Sequence, residues 1–320
     1  MHKSTNLIGA LRLLAKHGGA RENAAMEAGS SPAMAALCKS IGATVSGSSS
    51  DMRTAYAEIL ELASRFSLIG KIQSISPFRS LPFETSFLRQ AAGVTAGFIA
   101  EGAPIPAGSA DFSATRLSRR KVAAILPVTK EITASIEGEK TLSRDLIRAI
   151  AAAESSVFFS SGSVDADAPA GIFNGVSPGT GSASIANDVA ALLDLFAGDL
   201  SNAVMLASPR SAAHLASVYE TAGVRGGEIL GVPLVTHYSI PDNQIGLVEP
   251  SRIALADGGV EIDLSGEAIV QTFDSSGDIE ESISFFQQNL VGFRAIRHLN
   301  WLPGTGSVAW VSGTTWGAAP

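Results

Sequence analysis

The chain has 320 residues, of which 46% are hydrophobic and only 17% charged, and its formal net charge is −7. This balance excludes a global basic field that would hold nucleic acid, and the single cysteine, Cys38, excludes a framework of internal disulfides. Glycine, proline or charge interrupts every apolar run well short of the ~20 residues of a membrane-spanning helix. Soluble domains average about 25% charged residues, so the low value indicates either a surface covered by neighbouring subunits or a composition rich in small residues.

The N-terminal part is predicted to be an arm. Its first element is an amphipathic helix that ends at Gly18 and Gly19. Residues 20–50, rich in Ala, Gly and Ser, are typical of an arm or linker. A further helix is predicted to begin at Asp51, which would act as its N-cap.

The next stretch is predicted to be an extended, hairpin-like excursion. Four prolines between Pro77 and Pro106 exclude a long helix. The pieces "SFLRQAAGVTAGFIAE" and "KVAAILPVT" read as short strands instead. An acidic, proline-stiffened segment, residues 97–108, comes shortly before the basic run "SRRK".

The clearest helix follows and introduces a region of mixed helices and strands. Apolar residues at helical spacing in "TLSRDLIRAIAAAESSVFF" predict a helix roughly 30 Å long. After it we expect a helix capped by Asn187 or Asp188, the strand "NAVMLAS", and a helix with Ser208 as N-cap and Pro209 at its first position. Further strands complete the chain, and the last of them carry a basic stripe: Arg294, Arg297 and His298.

Three patterns in the sequence could indicate catalytic or metal-binding chemistry. Ser177 in "GVSPG" matches the nucleophile elbow of hydrolases, but Pro178 lacks the N–H that the oxyanion hole requires. Asp165 and Asp167 lack further ligands at calcium-loop spacing, and the five histidines show no metal-binding spacing. We therefore expect no catalytic residue, no cofactor and no metal, which favours a structural protein over an enzyme.

Several segments stand in an order that carries a family resemblance. "AGFIAEGAPIP" precedes "FSATRLSRRKVAAILPVTKEI", and "TLSRDLIRAIAAAESSVFFSSGS" precedes "APAGIFNG". They are followed by "NAVMLASPRSAAHLASV", "ILGVPLVTHYSIPDNQIGLVEPSRIALAD" and "FFQQNLVGFRAIRHLNWLPGTGSVAWV". In this order, over about residues 51–313, they resemble tailed-phage major capsid proteins of the Hong Kong 97 fold, which is also the fold of encapsulin shells.

The resemblance implies an α+β architecture. It comprises an N-terminal arm, an extended β-hairpin loop, a long spine helix, a peripheral domain and an axial domain. The corresponding boundaries are 1–71 for the arm and first helix, 72–130 for the extended loop with flanking strands, 131–180 for the peripheral domain with the spine helix, 181–262 for the axial domain, and 263–320 for the C-terminal strands of the peripheral domain.

The function implied is that of a major capsid subunit of a tailed bacteriophage or prophage. Such a subunit self-assembles in the host bacterial cytoplasm into the icosahedral shell of the virion, around double-stranded DNA held without sequence-specific contact. Its implied partners are copies of itself in pentamers and hexamers, with portal, scaffold or protease, and decoration proteins as further candidates, and no membrane. Two alternatives stay open: an encapsulin-type compartment shell and, from another class, a serine hydrolase that uses Ser177.

On this interpretation the stiff acidic segment and the basic run reach neighbouring subunits. Prolines restrict the unfolded chain and discourage unwanted edge pairing. Opposite charges on the two segments would then pair between copies. The candidate contact residues are Glu101, Arg116, Arg119, Arg120 and Lys121.

Overall fold

The computed structural model describes residues 13, 21–28, 35, 66–92, 111–133, 136–165, 167–274, 276 and 278–317. The chain divides into two units. Unit 1 comprises residues 1–70, 121–154 and 258–298, and unit 2 comprises residues 71–120, 155–257 and 299–320. The predicted helices before residue 20 and after Asp51 lie outside the described residues, apart from residue 13.

Helices and strands alternate along the described parts of the chain. The α-helices are α1 (Arg21–Glu27), α2 (Leu68–Gln73), α3 (Lys130–Thr133), α4 (Ile136–Phe158), α5 (Ile185–Leu195) and α6 (Pro209–Leu215). The strands are β1 (Arg79–Ser80), β2 (Ser86–Ala92), β3 (Asp111–Arg116), β4 (Lys121–Thr129), β5 (Gly179–Thr180), β6 (Val204–Ala207), β7 (Ala222–Gly223), β8 (Gly226–Ile229), β9 (Val232–Thr236), β10 (Gln244–Val248), β11 (Ile253–Ser265), β12 (Ile269–Phe273), β13 (Ile279–Ser284), β14 (Leu290–Pro303) and β15 (Val308–Ser312).

Unit 1 is built on an edge strand and the long helix. Strand β4 lies at the edge of its sheet and pairs antiparallel with β14, from Lys121 opposite His298 to Thr129 opposite Leu290. Because strand side chains alternate between faces, one face of β4 can join a core while the other stays open. The inward face shares its core with Leu146, Ile147 and Ile150 of α4, at helical spacing.

Helix α1 belongs to that core and is more than part of a linker. Ala24, Ala25 and Ala28 are buried in the same cluster as the inward residues of β14 and α4. Three small side chains at this spacing let the helix lie close to its neighbours. Alanine carries no strong hydrophobic signature, so the composition of residues 20–50 concealed this contact.

Unit 2 is organised around a seven-stranded sheet with the order β5-β15-β10-β6-β9-β8-β7. Strands β6 and β9 run parallel, while β10 is antiparallel to both β6 and β15. Strand β6 is buried along its whole length, as expected for a central strand covered on both faces. Helices α5 and α6 contribute Val189, Leu192, Ala212 and Leu215 to the core on the sheet.

Tryptophans anchor the loop that follows α4 in unit 2. The indole N–H of Trp301 donates to the carbonyl of Ala170 at 2.7 Å, and that of Trp310 donates to the carbonyl of Val176 at 3.0 Å. Trp310 also stacks on Phe173 with the ring centroids 5.4 Å apart. A buried indole must find an acceptor, so these bonds fix the loop without leaving an unsatisfied donor.

Several predicted boundaries match the structure and others differ. The strand "KVAAILPVT" is β4, and Ser208 and Pro209 begin α6 as expected. Helix α4 begins at Ile136, five residues before the predicted start, because Ile136–Lys140 shows no apolar repeat from which a sequence pattern could be recognised.

Helix α5 is capped by Ser184, whose Oγ accepts from the N–H of Asn187, and neither predicted cap residue has that role. Asp188 is instead buried. Its carboxylate accepts hydrogen bonds from the Ser182 backbone N–H at 2.9 Å and from the indole N–H of Trp316 at 2.7 Å. This carboxylate therefore ties the C-terminal segment of unit 2 to α5.

The last strand also differs from the predicted grouping of residues 263–320. Strand β15 pairs with β10 from Gln244 opposite Ser312 to Val248 opposite Val308, inside the seven-stranded sheet of unit 2. Pairing partners this far apart in sequence leave no local signal, so alternation alone could not assign β15 to a sheet.

Candidate functional site

The two strands of the predicted excursion form a ribbon. Strands β2 and β3 pair antiparallel from Ser86 opposite Arg116 to Ala92 opposite Asp111, with an irregularity between Gln90 and Ala92. Glu101, the acidic candidate, lies in the segment between the two strands, outside the described residues. Its contact with a neighbouring subunit stays a prediction.

Glu84 fastens the base of this ribbon. Its carboxylate forms an ion pair with the guanidinium of Arg116 and accepts a hydrogen bond from the backbone N–H of Arg119 at 3.2 Å. Its own N–H donates to the carbonyl of Leu117 at 2.9 Å. The backbone φ of Glu84 is +62°, a left-handed conformation that costs a non-glycine residue about 1–2 kcal/mol. The contacts with Arg116, Arg119 and Leu117 hold Glu84 in this conformation.

Aromatic rings orient two arginines in this part of unit 2. The guanidinium of Arg119 lies over the ring of Phe83, 5.5 Å from its centroid, and that of Arg79 lies 5.9 Å from the centroid of Phe87. Both rings pack against a small core that includes Leu117. Cation–π contacts of this kind contribute about 0.5–1 kcal/mol at exposed sites. They hold the positive charges at the surface in a defined direction.

The remaining two candidates have different surroundings. Arg120 is half-buried, and its carbonyl accepts a hydrogen bond from the Leu299 N–H at 2.9 Å. Lys121 is exposed and is the first residue of the edge strand β4. The four cations therefore do not form one uniform patch, since Arg116 and Arg119 meet at Glu84 while Lys121 begins a strand.

Sequence reasoning missed Glu84 and Phe83. Glu84 precedes Arg116 by 32 positions, so no helical or strand period could pair them. Pro82 was the only local indication of a turn at this point. The partner of an arginine across such a turn becomes known only when the ribbon is folded.

The predicted basic stripe near the C-terminus is split between two faces of β14. Arg294 is exposed and pairs with Asp263. Arg297 is buried and donates from Nη1 to both carboxylate oxygens of Glu154, at 2.8 and 2.9 Å. Residues 294 and 297 differ by an odd number, so they point to opposite sides of the strand. Of the three stripe residues, Arg297 is thus internal.

The catalytic and metal candidates have the following surroundings. Ser177 is exposed in the loop before β5, and Asp165 and Asp167 are exposed in the loop after α4. Among the residues that the structure describes, no group of three or more His, Cys, Asp or Glu side chains could hold a metal ion. Over the same residues, no helix is both long and apolar enough to cross a bilayer.

Comparison with known proteins identifies the family. A model described as "Phage capsid family" matches residues 53–302, well over half of the chain. The chain belongs to the Phage capsid family. The resemblance inferred from the order of the sequence segments is thereby confirmed.

A curated relative and two solved structures extend this result. The "Capsid polyprotein" of Pseudomonas phage PAJU2 is 29% identical over an alignment of 301 residues, and the match covers 84% of this chain and 45% of that protein. The chain thus spans less than half the length of this relative.

The structure is similar to the capsid of a native GTA particle, with a TM-score of 0.52 and 16% identity, over 79% of this chain and 91% of the other. A chain of Mycobacterium phage Bobi gives a TM-score of 0.55 at 15% identity, covering 75% of this chain and 89% of the other. At these identities the structural likeness shows the fold, and the predicted capsid fold of the Hong Kong 97 type is confirmed.

Proposed function

We propose that the chain is the major capsid subunit of a tailed bacteriophage or prophage and that it assembles into a closed icosahedral shell around double-stranded DNA. The observation that carries the proposal is the family match over residues 53–302. In this role the chain is a structural component of the virion and has no catalytic function. Copies of the chain in pentamers and hexamers are its main partners, and portal, scaffold or protease, and decoration proteins act on the same shell. Assembly takes place in the bacterial cytoplasm.

The β2–β3 ribbon supports this role physically. A two-stranded ribbon is at best marginally stable alone, so its outer part gains stability from a surface on a neighbouring subunit. Exposed ion pairs contribute only about 0–1 kcal/mol each. A closed shell repeats every contact in every subunit, so weak terms add over the particle and symmetry enforces closure.

The charge of the chain is compatible with a container. A net charge of −7 gives the wall no general affinity for DNA, which is then enclosed without sequence-specific contact.

Electron microscopy and analytical ultracentrifugation of the purified chain test this proposal. We expect closed particles of uniform diameter in assembly buffers. Material that stays monomeric at high concentration under every assembly condition would overturn it.

Charge reversal at the basic run tests the role of the cations. We expect Arg119→Glu with Arg120→Glu to lower the yield of particles at least tenfold, while circular dichroism and the melting temperature stay close to the wild-type values. The matched control reverses Arg144 and Arg210, two exposed arginines elsewhere in the chain. Normal particle yield from the Arg119/Arg120 variant would contradict the assigned role.

A further inference from the structure

Unit 1 contains a two-stranded ribbon with exposed apolar side chains. Within the part of the chain that the structure describes, strands β12 and β13 pair only with each other, from Ile269 opposite Ser284 to Phe273 opposite Ile279. Ile269 is 70% exposed and Ile279 56% exposed, and Phe286 just after the ribbon is 83% exposed. Exposed apolar side chains grouped on a two-stranded sheet indicate a surface that another molecule covers.

The base of the ribbon is firmly built. Phe285 is buried, and its ring lies directly against Gly292, where a Cβ would clash with it. The Phe285 N–H donates to the carbonyl of Ala268 at 3.0 Å, and the Leu290 N–H donates to the carbonyl of Phe285 at 2.8 Å. The exposure of Phe286 is therefore a property of a fixed turn, since its neighbour in the chain is locked in place.

All charge on the ribbon has one sign. Residues 265–293 contain no Lys, Arg or His, and the ribbon and its flanks carry five carboxylates. They are Glu267, Asp274, Asp278, Glu280 and Glu281. Among the described residues none of the five forms an ion pair within the chain. The surface that covers the ribbon must therefore combine apolar contact with positive charge, which excludes DNA as its partner.

The chain itself offers such a surface in the basic segment, residues 116–121, but not to its own ribbon. Lys121 and the base of the ribbon lie at opposite ends of β4 in unit 1, because Lys121 pairs with His298 and Thr129 with Leu290. Eight residue steps separate those ends by about 27 Å. Glu281 is four residues from Phe285, so it reaches at most about 14 Å from the base. Among the described residues, neither Glu280 nor Glu281 forms an ion pair with Lys121 of the same copy, so both carboxylates are available to a second copy.

We propose that the β12–β13 ribbon of one copy docks on the basic segment of a second copy, with Glu280 and Glu281 facing Lys121 and Arg119. This inference rests on the proposed capsid function and identifies one of its subunit contacts. The two surfaces differ, so the contact is head-to-tail and repeats around a ring until the ring closes. Ile125, exposed on the outward face of β4 close to Lys121, provides apolar surface for Ile279 and Phe286.

Zero-length cross-linking tests the contact in the unmodified protein. A carbodiimide joins an amine to a carboxylate only when the two touch. We expect a cross-linked peptide between Lys121 and Glu280 or Glu281 in assembled particles, in the band with the mass of two chains, and its absence from monomer. Particles that cross-link elsewhere but never between these residues would overturn the proposal.

A charge swap gives the second test. We expect Glu280→Lys with Glu281→Lys, and separately Arg119→Glu with Lys121→Glu, each to reduce particle yield at least tenfold. The variant that carries all four substitutions should recover to within about threefold of wild type, which a purely structural role of these residues would not produce. The matched control is Asp167→Lys with Asp194→Lys, two exposed carboxylates of unit 2 that give the same change in net charge.

The outcomes separate the two proposals. If the wild-type chain forms no particles, the capsid function fails. If it forms particles and the ribbon variant does so equally well, only the docking contact fails, and the ribbon then serves another partner such as a decoration protein. Should the lysine variant melt at a lower temperature, Glu280→Gln with Glu281→Gln replaces it, with an expected loss of about threefold to tenfold in yield; an unchanged yield from that variant counts against the contact.

Discussion

At the scale of single residues, the buried ion pair between Glu154 and Arg297 is the most consequential contact of unit 1. Their side chains are 0% and 5% exposed, and the carboxylate is held through both oxygens. Removing one partner of a buried pair leaves an uncompensated charge, which typically costs about 3–5 kcal/mol.

We expect Glu154→Gln or Arg297→Gln to lower the free energy of unfolding by that amount in urea denaturation of the unassembled chain. Asp263→Asn, which removes the partner of exposed Arg294, should cost no more than about 1 kcal/mol. Equal losses from the buried and the exposed variants would show that burial does not control the effect.

Asp199 supplies a pH-dependent contact at the same scale. It caps the short 3₁₀ helix Leu200–Asn202, and hydrogen bonds from the Ser201 hydroxyl and N–H lower the pKa of its carboxyl from the usual 3.8. A lowered pKa in the folded state means that its stabilisation is present above pH 3.8 and is lost as the pH falls through the folded pKa. We expect Asp199→Asn to make the melting temperature less sensitive to pH below 3.8. Acid melting curves that run parallel for the two proteins would refute this.

At the scale of elements, the caps of the two sheet-covering helices should differ in importance. Ser208 caps α6 from a buried position, accepting from the Ser211 N–H at 3.0 Å and donating to the Asp242 carboxylate at 2.6 Å. Ser184 caps α5 from an exposed position through a single 3.4 Å contact. We expect Ser208→Ala to cost about 1–2 kcal/mol and Ser184→Ala about 0.5 kcal/mol. Chemical denaturation of both variants measures the difference, and a larger loss for Ser184→Ala would reverse this ranking.

The elements also show which parts of the fold could be predicted from the sequence. Alternation and flanking polar residues sufficed for β4, and the Ser-Pro pair sufficed for the start of α6, because those signals are local. The cap of α5 depended on which side-chain oxygen reaches a backbone amide, and the sequence has three polar residues within five positions, Ser184, Asn187 and Asp188. The candidate cations were recognised as surface charges, yet the contacts of Arg116 and Arg119 with Glu84 and Phe83 required the folded turn. The sequence placed β12 and β13 only among the C-terminal strands, because a local pattern does not show which strands pair or which apolar side chains stay exposed.

At the scale of the whole molecule, the low content of charge and the exposed apolar ribbon point to the same property. A chain with 17% charged residues leaves apolar surface that a monomer would have to expose. In the proposed shell contact the same surface would be buried between copies, and association would supply part of the stability. Exposed apolar surface, which is unfavourable in a monomer, is then needed for assembly. Removing it should reduce particle formation much more than it changes the stability of the single chain.

Excision of the ribbon tests this separation directly. Residues 269–284 can be replaced by Asn-Gly, the pair preferred in tight hairpin turns. The existing hydrogen bond from the Phe285 N–H to the carbonyl of Ala268 would then close the new four-residue turn. Because β12 and β13 pair only with each other, and Phe285 with its contact at Gly292 is retained, we expect circular dichroism of the unassembled chain to lose only the two strands and the melting temperature to change by no more than a few degrees. Particle formation, followed by ultracentrifugation and electron microscopy beside the wild-type chain, should be abolished, since the excised chain lacks both the apolar side chains and the carboxylates that meet the second copy. Shells of normal size and yield from the shortened chain would mean that the ribbon is dispensable for assembly, whereas a large fall in melting temperature would mean that it supports unit 1 from within.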